Sequence, residues 1–330
     1  MTGTFVTRAH VIDGRAYAAD LKARVADDVK RLEAQGVRPG LATLLVGDEF
    51  PAMAYERRVR RLAEDLGCRY VSEHLPASAE EADVVAAVGK LDADPRLHGI
   101  LVLRPLPDHV AEVAVYRELD PLKDIESVHP LNAGLLALGR PRYIPSTPAS
   151  IFYLLDRYLR EAGHNPAEIY ARSNLVVVGR SNNVGKPAVE LALARNATVS
   201  SCDVHTARAG LLPDYTARAD ILIVAAGVAG LVRGEHVHPG VIAVDVGINP
   251  IEDPDSGKVH FVGDLDFESV AAKASAITPV PGGVGPITDI WLLHNTVSAA
   301  RLTAFVEPAQ RSLDGTEVPQ WGSLEAPGDE

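Results

Sequence analysis

Hydrophobic and polar positions follow two rhythms that take turns along most of the chain. In RAYAADLKARVADDVKRLEAQ, residues 15 to 35, the apolar Ala19, Leu21, Val25, Val29 and Leu32 recur near the 3.6-residue period of a helix with one buried face. LATLLVG, at 41 to 47, is instead a short apolar run closed by glycine, which reads as a strand. A helical pattern over 51 to 66 leads to a second strand near Arg69 to Leu75. A helix around Glu80 to Leu91 then precedes HGILVLRPLP, whose Gly99 to Leu103 core reads as a buried strand ended by prolines. Strands separated by helices predict parallel βαβ units.

The same alternation resumes after residue 146. TPASIFYLLDRYLREAG, 147 to 163, opens with Thr147 as a helix N-cap and Pro148 at the first helical position. Strands follow at 174 to 178 (NLVVV), 197 to 201 (ATVSS), 221 to 225 (ILIVA) and 241 to 246 (VIAVDV). A last helix, from about Thr288 to Phe305, is expected to pack back on the first half. The fold class is therefore α/β, with two α/β domains, a discontinuous one of residues 1–146 plus 288–306 and one of residues 147–287. Residues 307–330 hold six acids against one arginine and few apolar side chains, and are expected to stay disordered.

Composition narrows the function. At 330 residues and 47% hydrophobic, the chain is long enough for two cores. Its formal charge of −12 disfavours nucleic acid and anionic membrane as partners. The N-terminus carries no apolar run of signal-peptide length, so the protein is expected in the cytoplasm. Cys68 and Cys202 are too few for a disulfide framework, and the scattered histidines give no metal signal.

Two loops carry the chemistry. TPVPGGVGPIT, 278 to 288, holds three glycines and three prolines between apolar segments. Gly282, Gly283 and Gly285 let the main chain approach a flat ligand or take positive φ, while Pro279, Pro281 and Pro286 stiffen it. It reads either as a ligand wall or as a rigid interdomain connector. The second loop, Gly179-Arg180-Ser181-Asn182-Asn183-Val184-Gly185, joins a strand to an apolar helix, where free N–H groups and the helix dipole favour a pyrophosphate. Its glycine spacing is wider than G-x-G-x-x-G, so an ordinary strand-to-helix turn remains the competing reading. Asp203, 24 residues after Gly179, stands near where an acid accepts from the adenosine ribose, but it reads equally as a helix cap. A carboxylate there repels a 2′-phosphate by on the order of 1–4 kcal/mol near a surface, which leans toward NAD. Arg180 and His205 argue for NADP.

Taken together, these segments resemble the methylenetetrahydrofolate dehydrogenase/cyclohydrolase family over about residues 10 to 305. The matching pieces are VIDGR (11 to 15), LATLLVGD (41 to 48), Tyr55 in a helix, GILV (99 to 102), PLP (105 to 107), Lys123-Asp124, HPLNAG (129 to 134), VVVGRSNNVGKP (176 to 187), ADILIVAAG (219 to 227), VIAVDVGIN (241 to 249), Gly263-Asp264 and TPVPGGVGP. The resemblance implies a homodimer in which the first domain binds the substrate, the second is a Rossmann-like dinucleotide-binding domain and the active-site cleft lies between them. It implies an enzyme that oxidises 5,10-methylenetetrahydrofolate by hydride transfer to NAD or NADP and then hydrolyses the methenyl product. It further implies Tyr55 and Asp124 in the catalytic machinery, and Tyr55, Glu126, Pro281, Gly282 and Gly283 at the substrate. The cofactor would meet Thr147, Gly179, Arg180, Ser181, Val184, Gly185, Asp203, Ala225, Gly247, Ile248 and Thr288. Thr147 and Thr288 also read as helix caps.

The departures from the family pattern fall at the chemistry. In Tyr-x-x-x-Lys the lysine position is Val59, and the glutamine of V-Q-L-P-L-P is Leu103. The pterin-gripping Asp of K-D-V-D-G is Glu126, followed by Ser127, and a Ser three residues before the tyrosine is Ala52. Arg58 and Arg60 flank the lysine gap out of register; the arginine run reads as an anion-attracting patch or, more simply, as a solvated helix face. The expected activity is dehydrogenase with cyclohydrolase lost or impaired. The alternatives are hydride transfer on another amine or iminium substrate, and a folate- or dinucleotide-binding protein without turnover.

Overall fold

The computed structural model describes residues 9–252 and 258–305. The tail expected to be disordered lies outside the described residues. Among them the strands are β1 (His10–Val11), β2 (Gly40–Val46), β3 (Arg69–Leu75), β4 (Gly99–Val102), β5 (Asn174–Val178), β6 (Thr198–Cys202), β7 (Ile221–Val224), β8 (Ile242–Asp245), β9 (Asn249–Glu252), β10 (Val259–Val262) and β11 (Ala276–Ile277). The described chain falls into two units, one of the residues up to Ala19 with Thr147–Thr288, the other of Asp20–Ser146 with the residues from Asp289 on.

The first unit is built on a six-stranded sheet in the order β1-β11-β8-β7-β5-β6, every pair of it parallel. Parallel strands covered by helices on both faces must be apolar throughout, and NLVVV and ILIV are buried at nearly every position. Val176, Val178, Leu222, Val224, Ala243 and Ile277 form the centre of its core. An antiparallel pair, β9 with β10, stands apart from this sheet. The second unit has a smaller parallel sheet, β3-β2-β4, whose central strand β2 is fully buried. Helices Phe50–Asp65 and Glu81–Asp92 follow β2 and β3 in the chain, as the βαβ pattern requires. Late in this unit Asn295 donates its Nδ2 to the carbonyls of Ile125 and Ile144, both at 2.8 Å, tying the last helix to two loops. Among the described residues no helix is long and apolar enough to cross a membrane.

Three expectations need correction. Residues 1–146 do not belong to one unit, because His10–Val11 pairs with β11 and carries the segment up to Ala19 into the dinucleotide-type sheet. A two-residue strand leaves no periodic trace in a sequence. The helix expected to be capped by Thr147 runs Ser146–Glu161, so Thr147 sits inside its first turn. The last helix begins at Gly285 because Pro286 suits a first turn, and Thr288 lies one turn in, donating its hydroxyl to the Val284 carbonyl at 3.3 Å.

Candidate active site

From β5 the chain moves outward to β6 and then returns past β5 to β7. Such a reversal leaves a crevice at the carboxyl ends of the two central strands. Gly179 follows β5 and Ala225 follows β7. Gly179 has φ +115, and a Cβ there would stand 2.1 Å from the Ala225 carbonyl oxygen. A Cβ on Gly185, the first residue of helix Gly185–Ala194, would stand 2.1 Å from the Gly179 carbonyl oxygen. Both glycines are therefore required for strand, loop and helix to meet. Ser181 closes the turn, its hydroxyl accepting long bonds from the Val184 and Gly185 amides at 3.2 and 3.4 Å.

At the end of β6 Asp203 already has partners of its own. Its Oδ1 accepts from the His205 and Thr206 amides at 3.1 and 3.0 Å, capping helix Val204–Arg208. Its Oδ2 accepts from Arg180 at 2.9 Å, and Arg180 also reaches the Ser201 hydroxyl and carbonyl. The Thr206 amide first, and the Arg180 charge later, hold the carboxyl below the usual range. Asp203 is thus a helix cap whose charge Arg180 already answers, and the repulsion that favoured NAD is correspondingly weakened.

Two buried aspartates shape the neighbouring loops, a role the sequence reading missed. Asp245, the last residue of β8, accepts from the Asp264 and Leu265 amides at 2.9 Å each and from Gly247 at 3.1 Å. Asp264 accepts from the amides of Ala226 at 2.6 Å and of Gly227 and Val228 at 2.9 Å, and from Asn249 Nδ2 at 2.9 Å. Burial pushes the Asp245 carboxyl up to about 7. The loops after β7 and β8, which hold the expected contacts Ala225, Gly247 and Ile248, are stapled by these two side chains. Side chains at 247 and 263 are excluded, since a Cβ would strike Asp264 and Asp245 respectively. The signal available in the sequence was an Asp ending one strand pattern and a Gly-Asp pair shortly after it.

The loop 278–288 begins on the same frame, where Thr278 Oγ1 accepts from the Asp245 amide at 2.8 Å. Gly282 takes φ +120 and its carbonyl accepts from Gly14 at 2.9 Å. A Cβ on Gly14 would stand 1.9 Å from the Gly283 carbonyl. Gly14 must therefore stay without a side chain where the loop passes, whereas within the loop Gly282 is required by its positive φ and a Cβ on Gly283 would meet Thr278 and the Pro279 carbonyl at 2.7 and 2.8 Å. Pro281 is exposed.

In the second unit Tyr55 projects from helix Phe50–Asp65 into a small apolar cluster of Leu45, Ala52 and Leu103, with Met53 and Leu101 at its edge. Val59, one turn on, is 0% exposed and Leu103 is 3% exposed. Two of the flanking arginines are engaged. Arg60 pairs at 2.9 Å with Glu56, which also accepts from Tyr70 at 2.8 Å. Arg58 makes a two-pronged pair with Asp289, Nε to Oδ2 at 2.5 Å and Nη2 to Oδ1 at 3.1 Å. Its guanidinium carbon lies over the Tyr55 ring, 5.0 Å from the centroid. Burial first, then the Asp289 and Glu126 charges, push the Tyr55 hydroxyl far up, so it stays protonated.

Asp124 is 1% exposed, and its oxygens accept from the Val128 and His129 amides at 3.0 and 2.9 Å and from Asn132 Nδ2 at 2.8 Å. That is the geometry of a loop clamp, not of a group free to move protons, and the expected catalytic role does not fit it. Lys123 likewise spends its amine on the Asp92 and Asp94 carbonyls, at 2.5 and 2.9 Å. Ser127, where the family pattern has glycine, keeps a left-handed φ of 52 and donates its hydroxyl to the Tyr143 carbonyl at 2.6 Å. That bond offsets a backbone cost of about 1–2 kcal/mol. Glu126 turns toward Ser146, accepting from its amide at 3.1 and 3.2 Å and from its hydroxyl at 2.9 Å.

Burial pushes the Glu126 carboxyl from 4.5 up to about 8. Between those values the folded chain binds more protons than the unfolded one, so stability falls as pH rises through that window. Glu126→Gln removes this slope. In denaturant melts the variant should gain on the native protein between pH 5 and pH 8.5; an unchanged difference at the two pH values would refute the assignment.

Comparison with known proteins fits this architecture. Residues 12–126 match the catalytic domain of tetrahydrofolate dehydrogenase/cyclohydrolase, and residues 145–304 match the NAD(P)-binding domain of the same family. The chain belongs to that family. It is an NAD(P)-dependent dehydrogenase by that membership. Bifunctional protein FolD 2 of Rubrobacter xylanophilus is 68% identical over 298 residues, covering 90% of this chain and 93% of that protein. Bifunctional protein FolD of Bacillus pumilus is 42% identical over 295 residues, covering 89% and 99%. Among solved structures, the bifunctional FolD of Campylobacter jejuni is 38% identical with a TM-score of 0.81, covering 89% of this chain and 99% of that one. The Trypanosoma brucei FolD, solved with NADP and an inhibitor, is 34% identical with a TM-score of 0.82, covering 90% and 99%. These relatives are thus matched along nearly their whole length.

Proposed function

We propose that this chain, acting as a cytoplasmic homodimer, oxidises 5,10-methylenetetrahydrofolate with NAD or NADP and hydrolyses the methenyl product slowly or not at all. The observation that carries the reading is the replacement of two polar side chains around Tyr55 by buried apolar ones. Val59 is 0% exposed and Leu103 3% exposed at the positions where the family pattern has lysine and glutamine. Loss of hydride from a methylene between two nitrogens is driven by nitrogen lone pairs and needs no proton transfer, so positioning suffices. A bound nicotinamide supplies the hydride acceptor. Adding water to the methenyl cation does require protons to move, and a lysine of adjustable pKa can move them where valine cannot. The loop at Gly179 to Gly185 and the loops held by Asp245 and Asp264 would seat the dinucleotide, with Arg180 at the ribose.

A second reading keeps hydride transfer but changes the substrate to another amine or iminium. It is favoured by Glu126, whose oxygens are engaged with Ser146 rather than open to an aminopyrimidine. The test is absorbance at 340 nm with methylenetetrahydrofolate and each dinucleotide, beside a separate assay of methenyltetrahydrofolate hydrolysis. Reduction of NAD or NADP with hydrolysis no faster than the spontaneous rate is the expected result. Rapid hydrolysis overturns the loss of cyclohydrolase; cofactor binding without oxidation favours the other substrate or a protein without turnover.

A further inference from the structure

Tyr55 has a polar neighbour as well as apolar ones. Arg58 stands three residues after Tyr55 on the same helix, so both side chains share one face. The guanidinium lies over the phenol ring, and Asp289 grips it through both prongs of a bidentate pair. The two partners are unequal. Asp289 is 12% exposed at its side chain whereas Arg58 is 58% exposed, so the carboxylate is the fixed member and the arginine the held one. A buried carboxylate needs a partner, and a bidentate guanidinium is the geometry that suits it best.

We propose that Asp289 is a positioning residue for the dehydrogenase reaction: through Arg58 it holds the Tyr55 ring in place, and the pair takes over from the missing lysine as the polar partner of that ring. The proposal rests on the function proposed above. Chemically the exchange is selective. A lysine beside Tyr55 can gain and lose a proton, whereas a guanidinium keeps its own at every working pH. The pair therefore fixes a flat surface without offering a proton relay. A planar cation held over the ring fixes the ring's orientation without adding a group that titrates. Hydride transfer, which needs position, is kept; water addition, which needs proton transfer, is not restored.

The experiment is a mutant cycle on the full chain with Asp289→Asn, Arg58→Gln and the double variant, read as KM and kcat for methylenetetrahydrofolate and as KM for NADP. Each single variant should raise the folate KM tenfold or more and leave the NADP KM within twofold. The double variant should be no worse than the weaker single, because both break one coupled unit. Asp289→Glu should recover part of the loss, and Arg58→Lys little, since an ammonium cannot be held by two prongs. If Asp289→Asn does not fold, Arg58→Gln at its exposed side chain reads the same pair. Native turnover with unchanged folate KM in the variants, or additive losses in the double, overturns the proposal alone. A native protein that neither oxidises methylenetetrahydrofolate nor binds tetrahydrofolate by calorimetry overturns the function and the proposal with it.

Discussion

Val59→Lys combined with Leu103→Gln should raise methenyltetrahydrofolate hydrolysis by about 10²–10⁴-fold over the native chain, the range a positioned acid–base group contributes. Val59 sits one turn after Tyr55 with no exposed surface. A lysine there begins inside the packed face, and its ammonium must reach the polar edge of the site by running its stem along the apolar cluster. Partial desolvation lowers its pKa toward neutrality, which is where a general acid or base works best. The substituted glutamine at 103 gives the amine a polar neighbour in place of leucine. Stability should fall by about 1–3 kcal/mol, because polar groups enter a cluster that now holds Leu45, Ala52 and Leu103. The measurement is the enzyme-dependent loss of the methenyl chromophore, with dehydrogenase activity followed in the same preparation. If the variant folds and still oxidises methylenetetrahydrofolate but gains no hydrolysis, then lysine and glutamine are not what this site lacks.

Asp264→Asn should be the most damaging single change in the dinucleotide half. The side chain is 0% exposed and accepts from three consecutive amides, Ala226 to Val228, and from Asn249. Asparagine keeps the shape but turns one acceptor into a donor that faces N–H groups. Leaving buried donors unpaired costs about 1–3 kcal/mol each, and disrupting a buried charged network about 3–5 kcal/mol altogether. The loop after β7 would lose its staple, and with it the setting of Ala225 beside Gly179. We expect a loss of at least about 3 kcal/mol in urea melts and a tenfold or greater weakening of NADP binding, measured by fluorescence at a temperature where the variant is folded. Native cofactor affinity in a destabilised variant would show that the clamp serves the fold and not the site.

Both changes act on groups of different legibility. The lysine gap could be read directly, since Tyr55 and the residue four places later lie on one helix and the helical period places them together. The Asp264 clamp could not, because its donors come from a loop almost 40 residues earlier in the chain, and nothing local distinguishes it from a turn aspartate. Asp124 shows the reverse error. Its motif suggests chemistry, but its oxygens are consumed by amides only a few residues away, which the coordinates reveal and the motif does not. That Asp203, besides capping a helix, pairs with Arg180 was equally beyond local reading, because Arg180 lies 23 residues earlier in the chain.

By itself the sequence determined the α/β class, the order of the βαβ units, the glycine turn after β5 and the absence of lysine beside Tyr55. These are all consequences of short-range periodicity and residue chemistry, which act within one element or one turn. Only the tertiary structure decided that His10–Val11 completes the larger sheet, that Gly14 must lack a side chain where the Gly283 carbonyl passes, and that Asp289 holds Arg58 over the Tyr55 ring. Each of these joins residues far apart in the chain. Contacts of that kind follow from how sheets and helices pack, and no local pattern encodes them.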